Sequence, residues 1–157
     1  MTSQLLESVQ VKILDQRVGS KWPMPQYQTN GSAAMDLLAC IDAPLELSPK
    51  SCQLVATGIS IYIRDAKFCA KILPRSGLGH KHGVVLGNGT GLIDADYQGP
   101  LMVSCLNRSD STYLIQPGER IAQLIFLPVV RPQLNIVTAF DDSETERGAG
   151  GFGSTGR

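Results

Sequence analysis

Neither sign of charge is in excess: 14 Lys and Arg balance 14 Asp and Glu across 157 residues. That balance removes the basic surplus on which sequence-independent nucleic-acid binding rests, so no nucleic-acid partner is expected. Long hydrophobic runs are missing as well. No apolar stretch reaches the roughly eighteen residues of a membrane span. The opening MTSQLLESVQVKILD carries neither the basic segment nor the apolar run of a signal peptide, and a cytoplasmic protein with no membrane partner is expected. Cys40, Cys52, Cys69 and Cys105 stand apart with no CxxC, far in sequence from His80 and His82. Zinc is therefore not expected, and the cysteines read as small buried hydrophobes within strands. Trp22 has no companion tryptophan and reads as packing near WPMP.

What is present is a set of short apolar, β-branched blocks: VKIL at 11–14, QLVATGISIYI at 53–63, FCAKIL at 68–73, LMVSCL at 101–106 and IAQLIFLPVV at 121–130. Each is bounded by Pro, Gly, Asn or Asp, the turn formers. ISIYI alternates as a half-buried strand does, and no long segment keeps a helical period; a turn or two of helix is expected near Ser76 to Lys81. The length suits one domain, and the pattern predicts an all-β barrel or double-sheet roll.

Polar and glycine residues gather in five clusters outside these blocks: GSAAMDLLA at 31–39, PRSGLGHKHG at 74–83, GNGTGLIDADYQG at 87–99, PGERIAQLIF at 117–126 and RGAGGFGSTGR at 147–157. No GxxxxGK[ST] phosphate loop is present, and no GxGxxG opens a helix. PRSG alone is ordinary loop chemistry more often than a phosphate cradle. Asp94 and Asp96 stand two apart, so in an extended chain both point to one face. Their carboxylates could cap backbone amides in a turn, or one could orient and deprotonate a water. Spacing does not decide between these.

Taken in order and at these separations, the five clusters resemble the five motifs of the trimeric deoxyuridine triphosphatases (dUTPases), and the sequence between them resembles the family's bacterial branch. The resemblance covers nearly the whole chain, and PRSGLG, GLIDADYQG, GERIAQLI and RGAGGFGSTG make it specific, because four separate motifs would have to coincide. The resemblance implies a jelly-roll-like subunit, a homotrimer with shared active sites, and hydrolysis of dUTP to dUMP and pyrophosphate by water attack on the α-phosphorus. That reaction keeps uracil out of DNA and supplies dUMP for thymidylate synthesis. It implies Mg²⁺ on the triphosphate with no direct protein ligand, Asp36 reaching it through water while helping to hold Arg75. Asp94 matches the catalytic carboxylate. Tyr97 matches the ring that packs on deoxyribose and excludes a 2′-hydroxyl. Asn88, with Gly91, Ile93 and the backbone around them, matches the uracil reader. Arg75, Ser76, Gly77 and Gln123 match phosphate contacts. Where the family has Gly before its first-motif apolar residue and Asp, this chain has Ala34 ahead of Met35 and Asp36, so the backbone there must avoid positive φ.

By the same resemblance, residues 1–146 form the barrel domain and 147–157 an arm that closes over the site. Phe152 would stack on uracil, with Arg147, Gly153, Ser154 and Thr155 at the phosphates. The glycine-rich composition permits order on binding and disorder before it. Two other readings are weighed: the related dCTP deaminases, which use a glutamate where GLIDADYQG offers aspartates, and a dUTP-sensing module that binds without relying on turnover.

Overall fold

The computed structural model describes residues 5–141. The apolar blocks become strands in the order β1 (Gln10–Ile13), β2 (Met35–Leu38), β3 (Leu45–Leu47), β4 (Cys52–Tyr62), β5 (Phe68–Pro74), helix α1 (Ser76–His82), β6 (Val84–Leu86), β7 (Gly91–Ile93), β8 (Pro100–Asn107), β9 (Tyr113–Ile115) and β10 (Arg120–Pro128). One sheet runs β1-β4-β8-β6, the second β2-β10-β5-β7, and β3 pairs with β9 alone. The strand pairings are antiparallel. This is the all-β, jelly-roll-like subunit expected from the strand pattern.

Alternation decides which side chains meet between the sheets. Along β8, Leu101, Val103, Cys105 and Asn107 are buried while Met102 faces out. Val55, Ile59 and Ile61 of β4 join them, and Leu37, Ala70, Ile72, Ala122 and Leu124 come from the second sheet, forming one hydrophobic cluster. Of the buried polar side chains Thr57, Ser60 and Asn107, Asn107 is the most enclosed, at 0% exposure. Its Nδ2 donates to the carbonyls of Leu47 at 2.9 Å and Ser111 at 2.8 Å, and its Oδ1 accepts from Ser109 N–H at 3.0 Å and the Ser109 hydroxyl at 2.7 Å. The end of β8, β3 and the loop before β9 are thereby tied together.

Two cysteines depart from the expectation of burial within strands. Cys52 is exposed, because it shares the outward phase of β4 with Leu54, and its Sγ lies 3.1 Å from the Ser104 hydroxyl. Cys40 is buried but lies just beyond β2. Burial pushes the Cys105 thiol up to about 12, which keeps it protonated and inert at neutral pH. Among the described residues no helix is long and apolar enough to cross a membrane.

Candidate active site

Strand order alone brings the first phosphate-side residues together. β10 lies between β2 and β5, with Gln123 opposite Asp36 on one side and Leu73 on the other. Pro74, which has no N–H to give, ends β5, and Arg75 turns away with φ −86° and ψ 130° to cap α1. The Arg75 side chain returns to the sheet: Nε forms an ion pair with Asp36 Oδ1 at 2.9 Å, and Nη1 donates to the Arg120 carbonyl at 3.2 Å. Arg120 Nη1 approaches Asp36 Oδ2 at 3.5 Å. Gln123 Nε2 donates to the Pro74 carbonyl at 2.9 Å. These residues line a cleft of about 370 Å³ with Ser76, Gly77, Lys81, His82, Tyr113 and Glu119. The leading N–H groups of α1 precede its first internal bond, Gly79 N–H to the Arg75 carbonyl at 2.9 Å. A guanidinium fixed at two nitrogens, further cations and unpaired amides make a cleft suited to a polyanion.

Met35 and Asp36 sit in β2 with ordinary backbone, and Ala34 is not among the positive-φ residues, so the Ala and Met of the first cluster fit without strain. Both Asp36 oxygens are committed to guanidinium groups. Among the described residues, no group of three or more His, Cys, Asp and Glu could hold a metal ion.

The other candidates lie elsewhere. β6 and β7 are joined by a tip that carries Asn88, exposed, with Gly89 N–H bonded to the Leu86 carbonyl at 3.1 Å and Thr90 N–H to the Asn88 carbonyl at 2.8 Å. Gly91 and Ile93 bound β7, opposite Ile72 and Ala70. The extended spacing expected of Asp94 and Asp96 does not hold: β7 stops at Ile93, and a turn follows in which Tyr97 N–H bonds the Asp94 carbonyl at 3.2 Å. Both carboxylates are exposed and line a second cleft of about 440 Å³ with Arg64, Phe68, Cys69, Leu92 and Arg131. Tyr97 folds back over Gly99, where any Cβ would strike its ring, and its hydroxyl donates to the Pro100 carbonyl at 3.0 Å. The phenol is thus fixed while the residue stays 42% exposed.

Strand β5 measures the gap between the two groups. Ile93 pairs with Ala70, which puts Asp94 beside Cys69, whereas Arg75 follows Pro74 at the other end. Six residues of extended chain separate them by about 20 Å. Arg147, Phe152, Gly153, Ser154 and Thr155, and the boundary at 146/147, lie outside the described residues. The sequence reading gave no role to Arg120, Lys81, His82, Tyr113 or Glu119. For Arg120 the GER of the fourth cluster was the available signal.

Family comparisons agree with this architecture. Residues 20–156 match the dUTPase family model. A deoxyuridine 5'-triphosphate nucleotidohydrolase of Tolumonas auensis is 60% identical over 152 residues, spanning 97% of this chain and 99% of the relative. One of the same name from Coxiella burnetii is 58% identical over 153 residues, 98% and 99% of the two chains. In structure, the dUTPase of Staphylococcus bacteriophage 80alpha, solved with dUPNHPP, superposes with a TM-score of 0.84 at 28% identity, covering 96% of this chain and 99% of that one. The matched stretch takes in both clefts and the glycine-rich cluster after them, and the chain belongs to the dUTPase family.

Proposed function

We propose that this protein hydrolyses dUTP to dUMP and pyrophosphate in the cytosol, as part of a homotrimer whose active sites are shared between subunits. The observation that carries the reading is the Arg75–Asp36–Arg120 arrangement in a cleft that also holds Ser76, Gly77 and Gln123. Family membership names the nucleotide.

Arg75 Nη2, with no hydrogen bond among the described residues, takes a phosphate oxygen, joined by the Ser76 and Gly77 amides and Gln123. Asn88 and the backbone at Gly91 and Ile93 pair with the uracil edge; cytosine reverses the pattern at N3 and C4 and would leave polar groups unpaired. The ring of Tyr97 packs on the sugar and leaves no room for a 2′-hydroxyl. Asp94 accepts a proton from water as its oxygen bonds to the α-phosphorus, and the bond to the bridging oxygen breaks to release pyrophosphate. A Mg²⁺ ion carried on the triphosphate would supply charge neutralisation there. With both oxygens held by guanidinium groups, Asp36 would reach such an ion only through water. Arg147, Phe152, Gly153, Ser154 and Thr155 close over the bound nucleotide.

About 20 Å of β5 lies between the positions of Arg75 and Asp94. That separation supports a site assembled from two copies, with the phosphate-side residues of one subunit facing the hairpin of another.

Incubation with dUTP and Mg²⁺, with dCTP, dTTP and UTP in parallel and products identified by phosphorus NMR, tests the activity. Loss of dUTP alone, giving dUMP and pyrophosphate, is expected; ammonia from dCTP would instead indicate a deaminase. Asp94→Asn should keep nucleotide binding and lose about 10²- to 10⁴-fold in turnover. Near-normal turnover would remove Asp94 from the mechanism.

A further inference from the structure

The phosphate-side cleft contains a carboxylate that hydrolysis does not use. Glu119 lines it beside Arg75, Lys81 and Arg120. Asp36, the other acid, is held by two guanidinium groups, but among the described residues Glu119 makes no ion pair. Its oxygens are taken by neutral donors: the Tyr113 hydroxyl donates to Oε1, and Gln116 N–H to Oε2 at 2.8 Å. The backbone on either side is anchored, since Glu119 N–H bonds the Gln116 carbonyl at 3.0 Å and the Glu119 carbonyl accepts Ala39 N–H at 2.8 Å. Only the side chain has freedom to swing.

Tyr113 is placed by packing from the opposite wall. Its ring meets that of His82, on the last turn of α1, with centroids 5.2 Å apart and planes inclined by 52°. Carboxylates and phosphates compete for the same guanidinium and ammonium donors. A free glutamate in this cleft would be an internal competitor for any polyphosphate.

We propose that Tyr113 is a positioning residue of this cleft: its hydroxyl pins the Glu119 carboxylate against the Gln116 turn and so keeps Arg120 and Lys81 available to the polyphosphate chain. The inference rests on the reading of this cleft as the phosphate site. Burial, reinforced by Glu119, raises the phenol above its usual range, so it remains a donor at working pH.

The test measures binding of inorganic tripolyphosphate to the full chain by calorimetry, with KM and kcat for dUTP alongside, in wild type, Tyr113→Phe, Glu119→Gln and the double variant. Tyr113→Phe should weaken tripolyphosphate binding and raise KM by about fivefold, the scale of one partly screened charge contact, while kcat moves much less. In the double variant, with no charge left to compete, both quantities should return to within about twofold of Glu119→Gln alone. A merely structural role predicts no such rescue. Tripolyphosphate binding by Tyr113→Phe equal to wild type, a double variant as weak as Tyr113→Phe, or a wild type that does not bind tripolyphosphate overturns the inference. Tripolyphosphate binding and its rescue without dUTP hydrolysis would overturn the proposed activity and leave this inference standing.

Discussion

Arg75 and Asp36 form an ion pair in the wall of the phosphate-side cleft: Nε to Oδ1 is 2.9 Å, with the Asp36 side chain 17% exposed and that of Arg75 35%. The acid fixes where the guanidinium points. Asp36→Asn keeps the shape and one acceptor but removes the charge that orients both Arg75 and Arg120. The expected loss in kcat/KM is roughly tenfold, or about 1.4 kcal/mol, with little change in thermal midpoint. Steady-state kinetics on dUTP beside a melting curve checks both parts.

Gly118→Ala should be far more damaging than a surface glycine change. Gly118 has φ +78°, and an added Cβ would lie 2.7 Å from Cδ1 of Trp22, a buried indole. Left-handed backbone costs a non-glycine residue about 1 kcal/mol or more, and forcing the indole aside adds about 1–3 kcal/mol. The turn it belongs to leads directly into Glu119 and Arg120. Urea unfolding followed by Trp22 emission should show a lowered midpoint and an altered native spectrum; an unchanged midpoint would contradict the packing account.

Asn107→Ala tests the buried tie between β8, β3 and the loop before β9. The change removes the side-chain donor from the Leu47 carbonyl and the acceptor from the Ser109 N–H, while the Ser111 carbonyl keeps the Ser109 hydroxyl at 2.9 Å. An unpaired buried group costs about 1–3 kcal/mol, so a loss of that order is expected. No candidate active-site residue is touched by Asn107, so activity measured well below the melting transition should survive.

The longer strands were legible because they carry a period. ISIYI alternates, and 53–63 became β4 at Cys52–Tyr62; the expected turn or two from Ser76 became α1 at Ser76–His82. Strands of three residues such as β3, β6, β7 and β9 hold too few positions to show alternation, and they had no separate signal. Asp94 and Asp96 would share a face only in an extended chain, and β7 stops at Ile93. The residue types of the phosphate side were visible in PRSG and GERIAQ, but the distance from Arg75 to Asp94 was not, because it depends on the β5–β7 and β10–β5 registers. Arg120 escaped for a related reason. Its approach to Asp36 depends on the irregularity between Arg120 and Ala122, which no local pattern encodes.

Asp15 supplies a prediction about acid. Arg17 binds it three times, through its N–H at 2.9 Å and Nε at 3.0 Å to Oδ1 and through Nη2 at 2.6 Å to Oδ2. These bonds hold the carboxyl well below its usual 3.8. Near neutral pH it is ionised in folded and unfolded chains alike, and its contribution to stability is fully present. As pH falls through 3.8, the unfolded chain takes up a proton that the folded chain refuses, so that contribution declines and is lost towards the lower folded value. Asp15→Asn should therefore lower stability at neutral pH and flatten the acid limb of the stability curve. Urea midpoints collected between about pH 5 and the onset of acid unfolding decide the matter: parallel curves for wild type and Asp15→Asn would mean that Arg17 does not hold that proton off the folded protein.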